Sequence, residues 1–515
     1  MGPSNLFIAF LMLLLTASGG PPNSTNRRLD LLDLIPTASY WRTKNIGPTR
    51  EQLEADIGVV KPAGDIPKLV KDLESLSRRD AAKKQLADIG APALDALRGE
   101  SNAEDPEAAA MAKELVATIS QHGKDKDVRR LMAIRTLGER KEKDSLPLLK
   151  SLADSKEHFV AEYAARAISQ IDGTPLPPLP PVELDKDLTM LPSTTGIIGQ
   201  TTGLGLPGFN LEALITQGLT MTPPGGAPPN PADKAKTIDN LTSQLLAIAE
   251  TVGNVRADGA TVAVSADIGG SNEWFIISVR GTFDREAVAA YAATQNRNAP
   301  ISHDGDMLKL DLYREAALLL PSDHQLIIAS ANPANTTLAS IIDPLADSLR
   351  TGTPNNLADN KPLADLIKLT DKRGPLWVAC LPSAKMKSML PVFAAFDSLS
   401  LSAIPDKDQL KLAVTARGTG DVSAAIDQFN SVGELVLPKL KSLIDMSKDF
   451  QPLIDAVESA KITPDEKGAT ATATVSMDIV KSITAAILAE FRFIQMAPAP
   501  APAPAAATPV IRHLP

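Results

Sequence analysis

The sequence is poor in the residues that most often carry chemistry. One cysteine, Cys380, stands in 515 residues, so neither an internal disulfide nor a cysteine-based metal cluster is open to the chain. It lies in the apolar run 376–381, where a buried small hydrophobe is expected. The five histidines, at 122, 158, 303, 324 and 513, offer no pair at the spacing that puts two ligands on one helix face. Aromatic residues make up only 4%, so burial must come mainly from Ala, Leu, Ile and Val. No segment has a basic excess. Between Asp65 and Asp172 there are 19 Lys or Arg against 20 Asp or Glu, in a chain of net charge −9. The densest basic run, Lys124 to Lys143, is interleaved with Asp125, Asp127, Glu139 and Glu142. That mixture reads as a solvated helix face and not as a stripe that follows phosphates. Nucleic acid is therefore not an expected partner. A G-x4-G-K-[ST] phosphate loop and a G-x-S-x-G nucleophile elbow are both absent.

What is present is helical register. Ala82, Leu86 and Ile89 recur as Ala112, Val116 and Ile119, then as Ala133 and Leu137, then as Ala164, Ile168 and Ile171. Spacings of four and three place each set on one helix face, and the small Ala lets a neighbouring helix approach closely. Such units bury their faces only by stacking. Asp65 is placed to cap the first helix, with Pro67 in its first turn, and Gly90 and Gly138 sit where C-caps are expected. The intervals between the four Ala are 30, 21 and 31 residues. The short one has no room for a helix pair with turns, so either a helix is missing there or helices near 107–120 and 127–138 form one pair. Val128-Arg129-Arg130, Ala133, Leu137-Gly138, Leu146-Pro147-Leu148-Leu149 and Ala164-Ala165-Arg166-Ala167-Ile168 carry a resemblance to the HEAT-like repeats, in the short phycobilin-lyase-type variety. The resemblance covers about a fifth of the chain. It implies an α-solenoid over 65–172 that serves as a protein-interaction surface.

Residues 5–17 form an apolar stretch of secretory-signal length, followed by Ser18-Gly19-Gly20. Residues 1–20 are therefore expected to be a signal peptide, with an uncleaved anchor as the rival reading. No other run of that length is apolar, so no membrane span is expected in the mature chain. An irregular lead-in is expected over 21–64, with Tyr40 and Trp41 as isolated anchors. After the repeats, 173–232 is rich in Pro and Gly and reads as a linker. The alternating Ala and Pro of 497–515 read as a disordered tail.

Between them, 233–496 alternates strand and helix patterns. Strands are expected at 261–265, 274–279, 307–312 and 325–330, and helices at 234–252, 284–295 and 334–349. Arg280-Gly281-Thr282-x-Asp284 recurs 137 residues later as Arg417-Gly418-Thr419-x-Asp421. Leu326–Ala329 followed by Pro333 also parallels Leu376–Ala379 followed by Pro382. The expected fold is thus multidomain: an N-terminal α-solenoid of HEAT-like repeats, then a duplicated α+β domain with antiparallel sheets (units 236–350 and 374–491). The latter resembles exported bacterial α+β domains of no assigned activity.

No residue is assigned a catalytic, cofactor-binding or metal-ligating role, and no cofactor is expected. His303, Asp304, Asp306 and Asp311 are the nearest to a polar cluster, and their Asp-Gly signature reads as a hairpin turn. Asp284 and Asp421 read as helix N-caps, with Arg280 and Arg417 each paired to its nearby Asp. The expectation is an exported, non-enzymatic interaction or scaffold protein of the cell envelope, periplasmic or secreted, whose partner is another protein. The alternative is an envelope hydrolase with its site between the two α+β units.

Overall fold

The computed structural model describes residues 29–58, 65–202, 231–418 and 451–476, apart from short stretches at 76, 90–92, 102–104, 177–181, 268–271, 297–298, 313–315, 333–337, 390–395, 407–408, 452–454, 456–457 and 466–467. The expected signal segment, the Ala/Pro tail, Gly90 and Asp421 lie outside the described residues.

The fold is mixed α+β, with helices against one large antiparallel sheet. Helices α1 (Thr37–Thr43), α2 (Arg50–Ile57), α3 (Ile66–Asp72), α4 (Arg79–Ile89), α5 (Leu94–Glu100), α6 (Pro106–Glu139), α7 (Leu146–Ala153) and α8 (His158–Asp172) make up the N-terminal part. Asp65 caps α3 as expected, accepting from the Lys68 N–H at 3.3 Å. Asp105 caps α6, accepting from the Glu107 N–H at 2.9 Å.

Helix α6 is the main departure from the expected pairs. It runs unbroken for 34 residues, so the short interval holds neither a missing helix nor a pair at 107–120 and 127–138, the two alternatives the spacing leaves. One interior glycine, Gly123, costs about 1 kcal/mol of helix propensity. Packing at both ends of the helix outweighs that. Its first half shares a core with Leu73, Leu86 and Leu97, and its second half with Leu53, Leu149 and Tyr163. Ala82, Ala112, Ala133, Ala164 and Leu137 are buried, whereas Ile168 is only half-buried against the core. Gly138 is not a C-cap. It lies inside α6, and a Cβ there would come within 2.7 Å of the Ala167 Cα on α8, so its role is close helix approach.

The lead-in is not irregular. Strand β1 (Leu29–Asp30) pairs with β3 (Arg256–Ser265), and Leu32, Ile35, Leu53 and Ile57 are core residues. Tyr40 and Trp41 are not isolated anchors. Their rings meet edge to face at 4.7 Å, and the Trp41 Nε1 donates to Thr136 Oγ1 on α6 at 2.8 Å. These apolar side chains, which follow no clear helix or strand period in the sequence, fill the space beside α6.

The sheet follows the order β12-β13-β11-β10-β9-β2-β3-β4-β8-β7-β6-β5. Its remaining strands are β2 (Thr195–Thr202), β4 (Trp274–Thr282), β5 (Ile301–Asp304), β6 (Met307–Leu312), β7 (Ala316–Ser322), β8 (Gln325–Ala331), β9 (Leu376–Cys380), β10 (Ser398–Asp406), β11 (Gln409–Arg417), β12 (Lys461–Asp465) and β13 (Gly468–Ser476). Between and after these strands come α9 (Asp185–Leu188), α10 (Pro231–Val252), α11 (Arg285–Gln295), α12 (Leu338–Thr351), α13 (Lys361–Leu369) and α14 (Ala384–Met389).

Part of the expected linker is therefore central. Strand β2 lies in the middle of the sheet, hydrogen-bonded to β3 on one side and β9 on the other. Its Gly and Thr content reads as loop, but the glycines answer to crowding. A Cβ on Gly196 would come within 2.4 Å of the Ala266 Cα, and Ile198 beside it is fully buried. Strand β7 also escapes the pattern reading, because its Leu318-Leu319-Leu320 run does not alternate. It needs no polar face. Leu319 packs toward α12 and α13, while Leu318 and Leu320 pack toward α11. Strand β8 alternates in the same way: Ile327 and Ala329 face the first cluster, Leu326 and Ile328 the second.

On either side of the β2·β9 pairing the strands follow one pattern. With β5 and β6 left aside, which have no counterpart among the described strands of the other side, β2, β3, β4, β7, β8 are placed 1-2-3-5-4 in chain order, and so are β9, β10, β11, β12, β13. The counterpart of β9 by position is thus β2 and not β8. The likeness of Leu326–Ala329 to Leu376–Ala379 does not reflect equivalent places in the sheet.

The helical and sheet parts are fastened together. Helix α10 contributes Leu246 and Ala249 to the core formed by α1, α6 and α8. At the β1·β3 pairing a buried ionic network closes the joint. The Arg256 Nε donates to Asp30 Oδ1 at 2.6 Å and Nη2 to Asp30 Oδ2 at 3.1 Å. Arg256 also reaches Glu162 at 2.5 Å, and Arg166 reaches Asp33 at 2.9 Å and Glu162 at 2.6 Å. Burial pushes the Asp30 carboxyl up and Asp33 adds to it, against Arg166 and Arg256. Burial would also raise Glu162, but the two guanidiniums together hold it below the usual carboxylate range.

Candidate functional site

The polar groups singled out in the sequence do not converge. His303 lies exposed on β5, the strand at one end of the sheet, opposite Leu308. Gly305 and Asp306 make the turn to β6, with Gly305 at φ +60°, as the Asp-Gly signature implies. Asp311 is on β6 opposite Ala317. Among the described residues no group of His, Cys, Asp and Glu is arranged to hold a metal ion. The His324 Nδ1 lies 3.1 Å from the Gly281 carbonyl in the turn between β7 and β8. Cys380 is buried, and burial pushes its thiol up to about 11, away from the thiolate a nucleophile requires.

The first Arg-Gly-Thr-x-Asp motif divides its work differently from expectation. Asp284 does cap α11, accepting from the Ala287 N–H at 3.0 Å. Arg280 does not pair with it. Its Nε donates at 2.8 Å to Asp187 on α9, which is fully buried. Asp187 also accepts from Thr261 Oγ1 at 3.2 Å and Gln325 Nε2 at 3.4 Å. An Asp occupied in capping a helix leaves the guanidinium to another partner, and α9 supplies one that is wholly out of water. The partner of Asp284 is instead Lys124 of α6, whose Nζ is 2.8 Å from Oδ2.

That contact leads to a cavity. A space of about 200 Å³ lies between the middle of α6, the start of α8, the end of α10 and the β4–α11 junction. Lys124, Asp127 and Arg130 line it from α6, spaced three apart on one face. Glu157 to Val160 line it from α8, and Asn254 and Asp284 from the sheet side. Glu157 and His158 are exposed at its mouth, whereas Val160, Val252 and Asn254 are buried within it. The Arg130 Nη1 holds both oxygens of Glu157, at 2.9 and 3.0 Å. Burial and the neighbouring Glu157 push Asp127 up to about 6, against Lys124 and Arg130. A carboxyl raised this far is able, once protonated, to donate as well as accept.

Sequence reasoning passes over these residues. The mixed charges of Lys124, Asp127 and Arg130 read as a solvated face, and their spacing of three is the one available signal. Asn254 carries none, since only the fold brings it to α6.

No family model and no curated protein matches the sequence. Solved structures of TP0453 are similar to it at a low level. Crystal form I matches 58% of this chain and 96% of that chain at 11% identity, with a TM-score of 0.30. Crystal form III matches 58% and 97% at 10% identity, with a TM-score of 0.32. Likenesses of this size do not establish a shared fold.

Proposed function

We propose that this is an exported, non-enzymatic interaction or scaffold protein of the cell envelope, binding another protein through its helical part. The helices of 65–172 are read as HEAT-like repeats, and the two halves of the sheet as copies of one unit. The observation that carries the reading is how the helical register is used. Ala82, Leu86, Ala112, Ala133, Leu137 and Ala164 are consumed in internal packing. Lys84, Gln85, Lys113 and Glu114 are left exposed on α4 and α6. A stack of helices with a charged outer surface suits a protein partner of mixed charge better than a substrate. The duplication is supported by the shared strand order and by the position of Arg280 and Arg417 near the ends of β4 and β11. Export rests on the apolar run 5–17, and N-terminal sequencing that found Met1 on exported protein would remove the cleavage claim. Among the described residues no helix is long and apolar enough to cross a membrane.

The hydrolase alternative needs a polar cleft between the two sheet units. Their junction is the β2·β9 pairing, where Ile198, Trp377 and Ala379 are buried. That weighs against it. Photo-crosslinking in cells from Lys84 and Lys113 tests the interaction reading. One protein should be trapped from both positions and not from the exposed Lys368 on α13. Absence of any trapped protein from the helical positions would end it.

A further inference from the structure

We propose that the cavity between α6, α8, α10 and the β4–α11 junction is a binding site for a small free oxyanion of the sulfate or phosphate class. This is separate from the partner-binding surface above and does not depend on it. Three features of the lining carry it: two side chains with donors that lack acceptors, and a helix start without a side-chain cap.

The first is Arg130. Its Nη1 is taken by Glu157, but Nε and Nη2 have no partner. Those two N–H groups form the side edge of the guanidinium, the edge that grips two oxygens of one anion. The second is Asn254, which is 8% exposed. Its Oδ1 accepts from the Leu32 N–H at 3.3 Å, which fixes the amide orientation, and leaves Nδ2 buried with no acceptor. The third is the start of α8. Its N-cap, Glu157, makes no side-chain cap, and the first residues of this 15-residue helix line the cavity.

Two of the three carboxylates that also line the space are already engaged. Asp284 is held by Lys124 and by the Ala287 N–H, and Glu157 by Arg130. Asp127 is pushed up to about 6 and gives up its charge in mild acid. The Arg256 Nη1 lies 3.0 Å from His158 Nε2. Arg is always a donor, so that nitrogen accepts and the ring proton sits on Nδ1. With Asp127 protonated, the unmet capacity that remains is donation, which calls for an acceptor-only ligand. At about 200 Å³ the space falls below the ~300 Å³ where drug-sized ligand pockets begin, so the ligand is an ion or a small ester and not a nucleotide.

The test uses the full chain and sodium sulfate against sodium chloride at equal ionic strength, read by thermal unfolding and calorimetric titration at pH 5.5 and 7.5. Sulfate stays dianionic across that range, so any pH effect belongs to the protein. A saturable rise in Tm with sulfate is expected, at least tenfold weaker in Arg130→Gln. It should be lost in Asn254→Asp, which keeps the acceptor for Leu32 but replaces the free donor with a carboxylate. If Asn254→Asp melts early in chloride, Arg130→Gln alone carries the comparison. Equal shifts in sulfate and chloride, or wild-type binding by both variants, would overturn the site. Acetate as effective as sulfate would overturn the tetrahedral class. Binding should be tighter at pH 5.5, and Asp127→Asn should remove that difference. The other charged groups around Asp127 are Lys124, Lys126 and Arg130 on α6, Glu157 and His158 on α8, and Asp284 at α11. A pH difference that survives in Asp127→Asn would refute the part given to Asp127.

Discussion

Arg256 and Asp30, far apart in the chain, meet as a two-point ion pair with neither side chain exposed. One belongs to the first long strand of the sheet and the other to the segment that leads into the helices. The pair therefore ties the two parts of the molecule together at a place where water cannot compensate a missing partner. Removing one member, as in Arg256→Met, leaves the buried Asp30 with only Arg166, at 3.3 Å, and should cost up to roughly 3–5 kcal/mol. Asp30→Leu combined with Arg256→Met should cost clearly less than the sum of the single changes. Urea melts of the four proteins measure this, and additive losses would mean that the pair is not a unit.

The same joint changes what cleavage does. Composition alone suggests that the Pro-rich interval 173–231 separates two independently folding pieces. In the structure β1 pairs with β3, α10 packs on α6, and Arg256 reaches Glu162 across the divide. A protease site engineered at the exposed Leu176 should therefore give a nicked protein whose fragments co-elute on gel filtration without denaturant. Fragments that separate in dilute buffer would show the interface to be too weak to hold.

Much of this architecture is legible where a pattern is local. The apolar run of 274–279 and the alternation in 307–312 mark β4 and β6, and the cap residues Asp65 and Asp284 mark helix starts, because each signal is contained in a few neighbouring residues. What stays hidden depends on distant contacts. The Gly-Thr composition of β2 reads as loop until Ala266 is seen beside Gly196. The apolar residues of the lead-in follow no clear period, yet Tyr40 and Trp41 are buried because α6 lies against them. The cavity is invisible in the sequence for the same reason: Asn254 meets α6 only through the fold, and a spacing of three in Lys124, Asp127 and Arg130 says nothing of what faces it.

Leu137→Ala and Ile168→Ala should separate two positions that the sequence treats alike. Leu137 is fully enclosed, whereas Ile168 is half-buried at the edge of the same core. The first should cost ~2–5 kcal/mol by loss of burial and formation of a cavity. The second should cost less than half as much. Equal losses in urea melts would show that exposure at 168 is closed off in solution.

Asp284 serves both a helix and a lysine, and two substitutions distinguish these roles. Asp284→Asn keeps a good cap for α11 and loses the charge opposite Lys124, an exchange at a partly exposed site that should change stability by no more than ~1 kcal/mol. Asp284→Ala loses both and should cost about 1–2 kcal/mol. A loss for Asn as large as that for Ala would place the whole effect in the ion pair.

Asp127 gives the molecule a pH dependence whose direction can be stated. Burial and Glu157 push its carboxyl up to about 6 from the ordinary aspartate value of 3.8. Between those values the folded chain binds more protons than the unfolded chain, so stability falls as pH rises through that window and levels off above it. In Asp127→Asn there is no proton to lose, and the variant should gain on the wild type steadily from about pH 4 to about pH 6. At pH 7 the gain should be on the order of 2 kcal/mol, since each tenfold change in proton affinity is worth about 1.4 kcal/mol and part of the side chain meets solvent. Chemical denaturation at pH 4, 5, 6 and 7 measures the difference. A constant difference across that range would mean that Asp127 is ionised throughout and that Lys124 and Arg130 offset its burial.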